Sequence, residues 1–224
     1  MTRSTAQPRR GDAASATGSA AAGDLSSSRS AAPTRRSQER RRQLLDAADR
    51  VVRRDGPDAS MVTIAAEAGV TKPILYRHFG DKGGLYQALA ERHTATLLER
   101  LHHALSVPAD RSRRTLLVVD AYLASIEAEP AIYRFLMHRA AEEEPAVGGM
   151  VASFTEQIAE LLAVGIAGAL GDPAESHRAR AWGFGMVGAV QAAGDWWLDT
   201  AALTRAELAE HLAQLLAHGW AGAS

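Results

Sequence analysis

The chain has 224 residues, enough for one large domain with a proper core or two small ones, and its 25 Lys+Arg nearly cancel its 26 Asp+Glu. Hydrophobic residues make up 46%, but 46 positions are alanine, so large apolar side chains are few, which suits close-packed helices better than broad sheet. The absence of Cys excludes a disulfide framework, a thiolate zinc site, a cysteine nucleophile and an iron–sulfur cluster.

No apolar run approaches the roughly 18 residues of a membrane span, and the polar start Met1 to Arg10 is not followed by the apolar stretch of a secretory signal. The expectation is a cytoplasmic protein with no membrane partner. Charge is unevenly placed. Residues 1–82 carry 15 Lys+Arg against 9 Asp+Glu, net +6, and residues 83–224 carry 10 against 17, net −7. A basic front on an acidic back is the asymmetry of a chain whose one end meets a polyanion, although an Arg-rich end that only keeps a chain soluble has the same look.

Residues 1–36 are mostly Ser, Thr, Ala, Gly, Pro and Arg with Leu25 as the one large aliphatic residue after Met1, and are expected to be a disordered tail. Helices follow. Ser37 is expected to cap a first helix with the stripe Leu44, Leu45, Ala48, Val51 and Val52, ending at Asp55-Gly56-Pro57. Ser60 opens a short second helix, Gly69 supplies a tight turn, and Thr71 caps a third helix to about Phe79, with Pro73 tolerated in its first turn. Asp81 caps a long fourth helix with Leu85, Leu89, Leu97, Leu101 and Leu105 on one face. A fifth follows Pro108, a sixth begins at Pro130, a seventh at Pro145, and an eighth runs from Asp172-Pro173 to about Asp199. Thr204 with Glu207 forms a capping box for the ninth, with Leu203 and Leu208 as its hydrophobic staple. No strand-like alternation occurs. The expected class is all-α.

Two short helices joined at Ala68-Gly69-Val70 are the layout of a helix-turn-helix, whose second helix enters the major groove. Ile64, Ala65, Val70 and Leu75 are then required inside. Lys72, Pro73, Ile74, Tyr76, Arg77 and His78 fall on or near the outer side. Arg40, Arg41 and Arg42 on the first helix read equally well as a solvated face or as DNA contacts. The contiguous run IAAEAGVTKPILYRHFGDKGGLY resembles the DNA-binding signature of TetR/AcrR-type transcriptional regulators. The segment His177 to Asp199 is similar to actinobacterial members linked to lipid metabolism.

That resemblance implies a helix-turn-helix domain at 37–82 and a helical ligand-binding and dimerisation bundle at 83–224. It implies that Ser60 and Thr71 are phosphate-contacting caps and that Lys72, Pro73 and Ile74 face bases. Tyr76 and His78 would be a phosphate-binding pair, and Lys82 would grip the backbone at the start of the fourth helix. Ile74 departs from the small or polar residue usual at its position, so an apolar contact such as a thymine methyl is the chemistry it offers.

The resemblance further implies a homodimer through the last two helices, and the glycines Gly183, Gly185, Gly188 and Gly194 give a physical reason, since each costs about 1 kcal/mol of helix propensity unless a backbone approaches closely. Tight packing within one chain is the alternative reason. A two-fold dimer predicts a near-palindromic double-stranded operator. For a small, mostly apolar effector the lining is expected from Tyr122, Phe135, Met137, His138, Phe154, Trp182, Met186, Gln191 and Trp196, each of which core packing explains as readily. No cofactor or metal is expected. An all-α enzyme finds no support, because no HExxH, GxSxG or P-loop is present and Glu99 with His103 is at most a weak metal pair. A helical carrier that binds nucleic acid without sequence preference is the other alternative.

Overall fold

The chain is cut into helices at its Gly, Pro and capping residues. The computed structural model describes residues 35–173 and 176–218, and every regular element in them is helical. In order they are α1 (Arg35–Asp55), a 3-10 turn (Gly56–Asp58), α2 (Met61–Glu67), α3 (Lys72–Phe79), α4 (Lys82–Ser106) and α5 (Arg111–Ala128). Then come α6 (Pro130–Arg134), a π-helical stretch (Phe135–Ala140), α7 (Ala141–Glu143), α8 (Pro145–Leu170), α9 (His177–Thr200) and α10 (Arg205–His218).

Side-chain caps fix several of these starts. The Asp81 carboxylate accepts from Gly84 N at 2.8 Å and opens α4. Thr204 and Glu207 exchange bonds at the start of α10, Thr204 N to Glu207 Oε2 at 2.8 Å and Glu207 N to Thr204 Oγ1 at 3.3 Å. Three expected boundaries move. Arg35, Arg36 and Ser37 lie inside α1 rather than before it, while the remainder of the expected tail, 1–34, lies outside the described residues. The eighth expected helix starts not at Asp172-Pro173 but after Ser176, whose hydroxyl accepts from Ala179 N at 3.3 Å; Asp172 instead takes Ser176 Oγ and both guanidinium arms of Arg178. The sixth expected helix is three pieces, because a π-helical turn interrupts it.

Two cores organise the bundle. The first gathers α1, α2, α3 and the front of α4 around Leu44, Val51, Val52, Ile64, Leu75, Leu85 and Tyr86. Ile132, Phe135, Leu136, Ala140 and Val147 belong to that same cluster, so the core of α1–α3 continues into the helices behind α4. The second joins the back of α4 to α5, α9 and α10 through Leu101, Tyr122, Leu123, Ile126, Trp197 and Leu212. Arg53 ties α1 to the entrance of α6 with a bidentate pair to Glu129 at 2.7 and 2.8 Å.

The glycines of α9 divide by what stands opposite them. A Cβ on Gly183 would run into the backbone carbonyl of Ala159, and one on Gly194 would meet Ile126 Cδ1 at 2.9 Å, so both serve packing within the chain. Gly185 and Gly188 face open space. Gly183→Ala is therefore expected to lower unfolding free energy by about 2 kcal/mol, because a backbone oxygen cannot step aside. Gly185→Ala, by contrast, should raise the monomer's stability by about 1 kcal/mol through helix propensity. Urea unfolding of both variants checks the contrast.

Among the described residues α8 is the one helix long and apolar enough by composition to cross a membrane, its best 18-residue window having a mean hydropathy of 1.4. Glu156 and Glu160 interrupt it, and Glu160 takes Arg180 Nε of α9 at 2.7 Å. Such a helix is weak evidence of a span, and its apolar side is used as a cavity wall.

Candidate nucleic-acid interface and effector cavity

α2 and α3 are held by a turn that only a left-handed residue closes. Gly69 has φ +63°, and Gly69 N donates to Ala66 O at 3.1 Å while Val70 N donates to Ala65 O at 2.9 Å. Ser60 caps α2 reciprocally with Thr63: Thr63 N donates to Ser60 Oγ at 3.2 Å and Ser60 N to Thr63 Oγ1 at 3.0 Å. Thr71 holds the N-cap position of α3 with extended backbone, yet its side chain makes no capping bond. Its backbone carbonyl accepts from Ile74 N and Leu75 N, and its hydroxyl stands on an exposed residue.

The buried side of α3 is Leu75 and Phe79, and the Arg41 guanidinium stacks 4.8 Å above the Phe79 ring. Opposite them Lys72, Pro73, Tyr76 and Arg77 are exposed, with Ile74 half-buried. A cation, a phenol, a guanidinium and apolar surface thus share one short helical face. His78 is half-buried and turned toward α1, where burial and then the charges of Arg77, Arg40 and Arg41 push its imidazole below the usual value. This disfavours its charged form, and an imidazole ring N–H can still donate to an anionic oxygen.

Lys82 lies at the first turn of α4, above the Tyr86 ring at 5.3 Å, and donates to Glu143 Oε2 at 2.6 Å. That bond, against the opposing effect of burial, holds its ammonium above the usual lysine value. Nothing in the local sequence marks Glu143 as its partner, 61 residues away.

A cavity of about 590 Å³ opens between α5 and the α8–α9 pair, closed at its ends by the last turns of α4 and α10. Five of the expected lining residues border it: Tyr122, Phe154, Trp182, Met186 and Gln191. Three do not. Phe135 is fully buried in the first core, edge-on to Tyr86 at 4.8 Å. His138 is exposed, its Nε2 4.0 Å from Asp195 Oδ1, and Trp196 stands 48% exposed on the outer face of α9. Met137 does not border it either.

Polar groups in the wall are few. Gln191 Nε2 donates to Thr155 Oγ1 at 3.3 Å, and the Tyr122 hydroxyl turns away from the apolar wall to the Tyr133 hydroxyl at 3.1 Å, which donates to Asp195 at 2.8 Å. Burial, only partly opposed by the Tyr133 bond, pushes the Tyr122 phenol up to about 12, so it stays protonated. The missed residues are Arg111 and Arg114 at the start of α5. Among the described residues neither forms an ion pair, although Arg114 donates to Ala109 O at 2.9 Å. Positions 111, 114, 115, 118 and 122 repeat at helical spacing, and that period was the signal available.

Residues 44–89 match the family model described as bacterial regulatory proteins, tetR family, and residues 100–224 match tetracyclin repressor-like, C-terminal domain. An HTH-type transcriptional regulator of Mycobacterium tuberculosis H37Rv is 33% identical over 179 residues, covering 79% of this chain and 75% of that one. The HTH-type transcriptional activator FasR of Mycolicibacterium smegmatis is 36% identical over 162 residues, 72% of this chain and 73% of that one. Among solved structures, a TetR-like regulator from Rhodococcus sp. RHA1 superposes with a TM-score of 0.64 at 26% identity, over 82% of this chain and 96% of that one. FadR from Bacillus subtilis in complex with stearoyl-CoA shares the fold, with a TM-score of 0.63 at 16% identity, over 80% of this chain and 98% of that one. A reading head of α1–α3, a helical body behind it, and both family models in register make this chain a member of the TetR family of DNA-binding transcriptional regulators, which are not enzymes.

Proposed function

We propose that this chain is a homodimeric repressor that occupies a near-palindromic operator and is released by a small amphipathic effector with a long apolar part. The observation that carries the reading is the exposed face of α3, where Lys72, Pro73, Tyr76 and Arg77 stand opposite a buried Leu75 and Phe79. Ser60, Thr71, His78 and Lys82 flank that face as backbone contacts, and Ile74 offers apolar contact to a base.

The effector class follows from the cavity. Its volume is in the range of pockets that bury small ligands, about 300–1,000 Å³. Its wall is apolar, and Arg111 and Arg114 offer two cations at one end without a carboxylate partner among the described residues. Such a wall suits an acyl chain with an anionic head, and the fold neighbour FadR is described in complex with stearoyl-CoA. A long-chain acyl-CoA is thus the first effector to try. Arg114→Ala is expected to weaken its binding about ten-fold by removing one charge-assisted bond.

The dimer reading rests on α9. Between Ala181 and Trp196 its outer face carries Phe184, Gly185, Gly188, Ala189 and Ala192, all exposed and uncharged. An apolar, small-residue face on a protein that reads two half-sites suits a second copy of the same chain. The outward side of α10 carries Glu207, Glu210, His211 and Gln214, which suits the polar rim of that interface. The cytoplasm is where such a regulator meets its operator.

Selection of bound sequences from random duplex DNA, with full-length protein at physiological salt, tests the reading. The expected result is an enriched near-palindrome whose occupancy falls when long-chain acyl-CoA is added. Steep salt dependence with no enriched sequence would instead mean a carrier that binds nucleic acid unspecifically. Activation is the second reading, favoured by the name of the relative FasR. A reporter with the selected site placed over or upstream of the promoter separates the two.

A further inference from the structure

Lys82 and Glu143 meet across two parts of the molecule. Lys82 begins α4, the helix that follows the reading head, whereas Glu143 ends α7, just past the π-helical stretch. Their contact is close, with Nζ 2.6 Å from Oε2, and the second carboxylate oxygen is taken by Arg139 Nε at 2.9 Å. The carboxylate is therefore aimed, with one oxygen anchored on the π-helical stretch just before it and the other on α4.

A second anion stands beside it. A Cβ on Gly83 would lie 2.7 Å from Glu144 Oε2, so the Glu144 carboxylate rests against the first turn of α4. The wider turn of the π-helical stretch decides where both carboxylates fall. It carries one more residue per turn than an α-helix, and removing it would swing everything after Ala140 by about 100°. Phe135, edge-on to Tyr86 one turn beyond Lys82, fixes that stretch to α4.

Resting on the reading of Lys82 as a phosphate contact, we infer that Glu143 is a built-in competitor for that lysine, so that operator affinity is set in part by whether α7 holds a carboxylate where a DNA phosphate must come. Carboxylate and phosphate offer an ammonium the same thing, anionic oxygens at hydrogen-bond distance. The two cannot share it without their own repulsion, which screening by solvent reduces but does not remove. Both partners remain reachable, with Lys82 39% and Glu143 35% exposed, so the exchange needs no unfolding. Charge complementarity within the chain thus opposes charge complementarity with DNA, and the regulator binds less tightly than its reading head allows.

The test is a double-mutant cycle on the selected operator, read by fluorescence anisotropy with the full chain at physiological salt. Glu143→Gln removes the charge and keeps the shape. It is expected to tighten binding about 3-fold, the size of one exposed ion pair. In a Lys82→Ala background the same substitution is expected to change nothing, because the contested cation is gone. Glu142→Gln, the neighbouring exposed carboxylate without a pair to Lys82, serves as the control and is expected to leave affinity unchanged.

A Glu143→Gln variant that binds like wild type, or that tightens binding equally with and without Lys82, overturns the inference. So does an equal gain from Glu142→Gln, which would reduce the effect to net charge. If Lys82→Ala alone leaves operator affinity at the wild-type value, the phosphate-contact reading itself fails and the competitor falls with it, an outcome distinct from the others.

Discussion

Asp49→Ala is expected to lower unfolding free energy by about 3 kcal/mol, the cost of removing one partner from a buried ion pair. Asp49 is the one buried charged residue among the described residues, at 5% exposure. It stands on α1 and takes two groups from α4: Arg92 at 2.7 Å and His93 Nε2 at 2.8 Å. Removing its carboxylate takes the carboxylate from an imidazole that is only 21% exposed and leaves a 27% exposed guanidinium with Asp46 alone. Asp46 takes the same Arg92 nitrogen at 2.8 Å but is 47% exposed, so Asp46→Ala should cost about 0.5 kcal/mol. Urea midpoints at unchanged m-value measure both.

The same carboxylate gives a pH dependence. Burial pushes the Asp49 carboxyl up, but bonds and charges from His93 and Arg92 together outweigh it and hold it below its ordinary value of 3.8. A group lowered on folding contributes stability that is present above its unfolded value and lost as pH falls through the folded one. Wild type should therefore lose stability below about pH 4, and Asp49→Ala should show a flatter acid limb. An equally steep limb in the variant would assign the acid loss to other carboxylates.

The reading head was legible because its physics is local. Gly69 closes a turn by its own φ, Ser60 and Asp81 cap within three residues, and Leu75 and Phe79 mark the buried side by helical spacing. Distant partners were not legible. Lys82 and Glu143 are 61 residues apart, and no spacing rule connects them. Phe135 and Phe154 look alike in sequence, since an apolar stripe has the same period whether it faces a core or a cavity; only the packing of Tyr86 against Phe135 separates them. Gly183 and Gly185 differ for the same reason, because what a glycine leaves room for stands on another helix. The π-helical turn escaped because its residues, Phe135 to Ala140, contain no Gly or Pro and leave the helical pattern of the sequence unbroken.

Tyr76→Phe combined with Lys82→Ala is expected to weaken operator binding by about ten-fold or more at every sequence, since both groups are read as phosphate contacts. The logarithmic salt slope should fall by about 1 for each phosphate-bound lysine removed, and by twice that in a dimer with two recognition helices. Lys72→Ala should behave differently. It stands exposed at the first position of α3 and is read as a base contact, so its loss should cost about 1–3 kcal/mol at one base position and little elsewhere. Repeating the sequence selection with this variant would then return the same palindrome with one relaxed pair of symmetry-related bases. If Lys72→Ala instead weakened all sequences alike while the double variant changed base preference, the roles of the two ends of α3 would be exchanged, and the helix would lie in the groove with its C-terminal end inward.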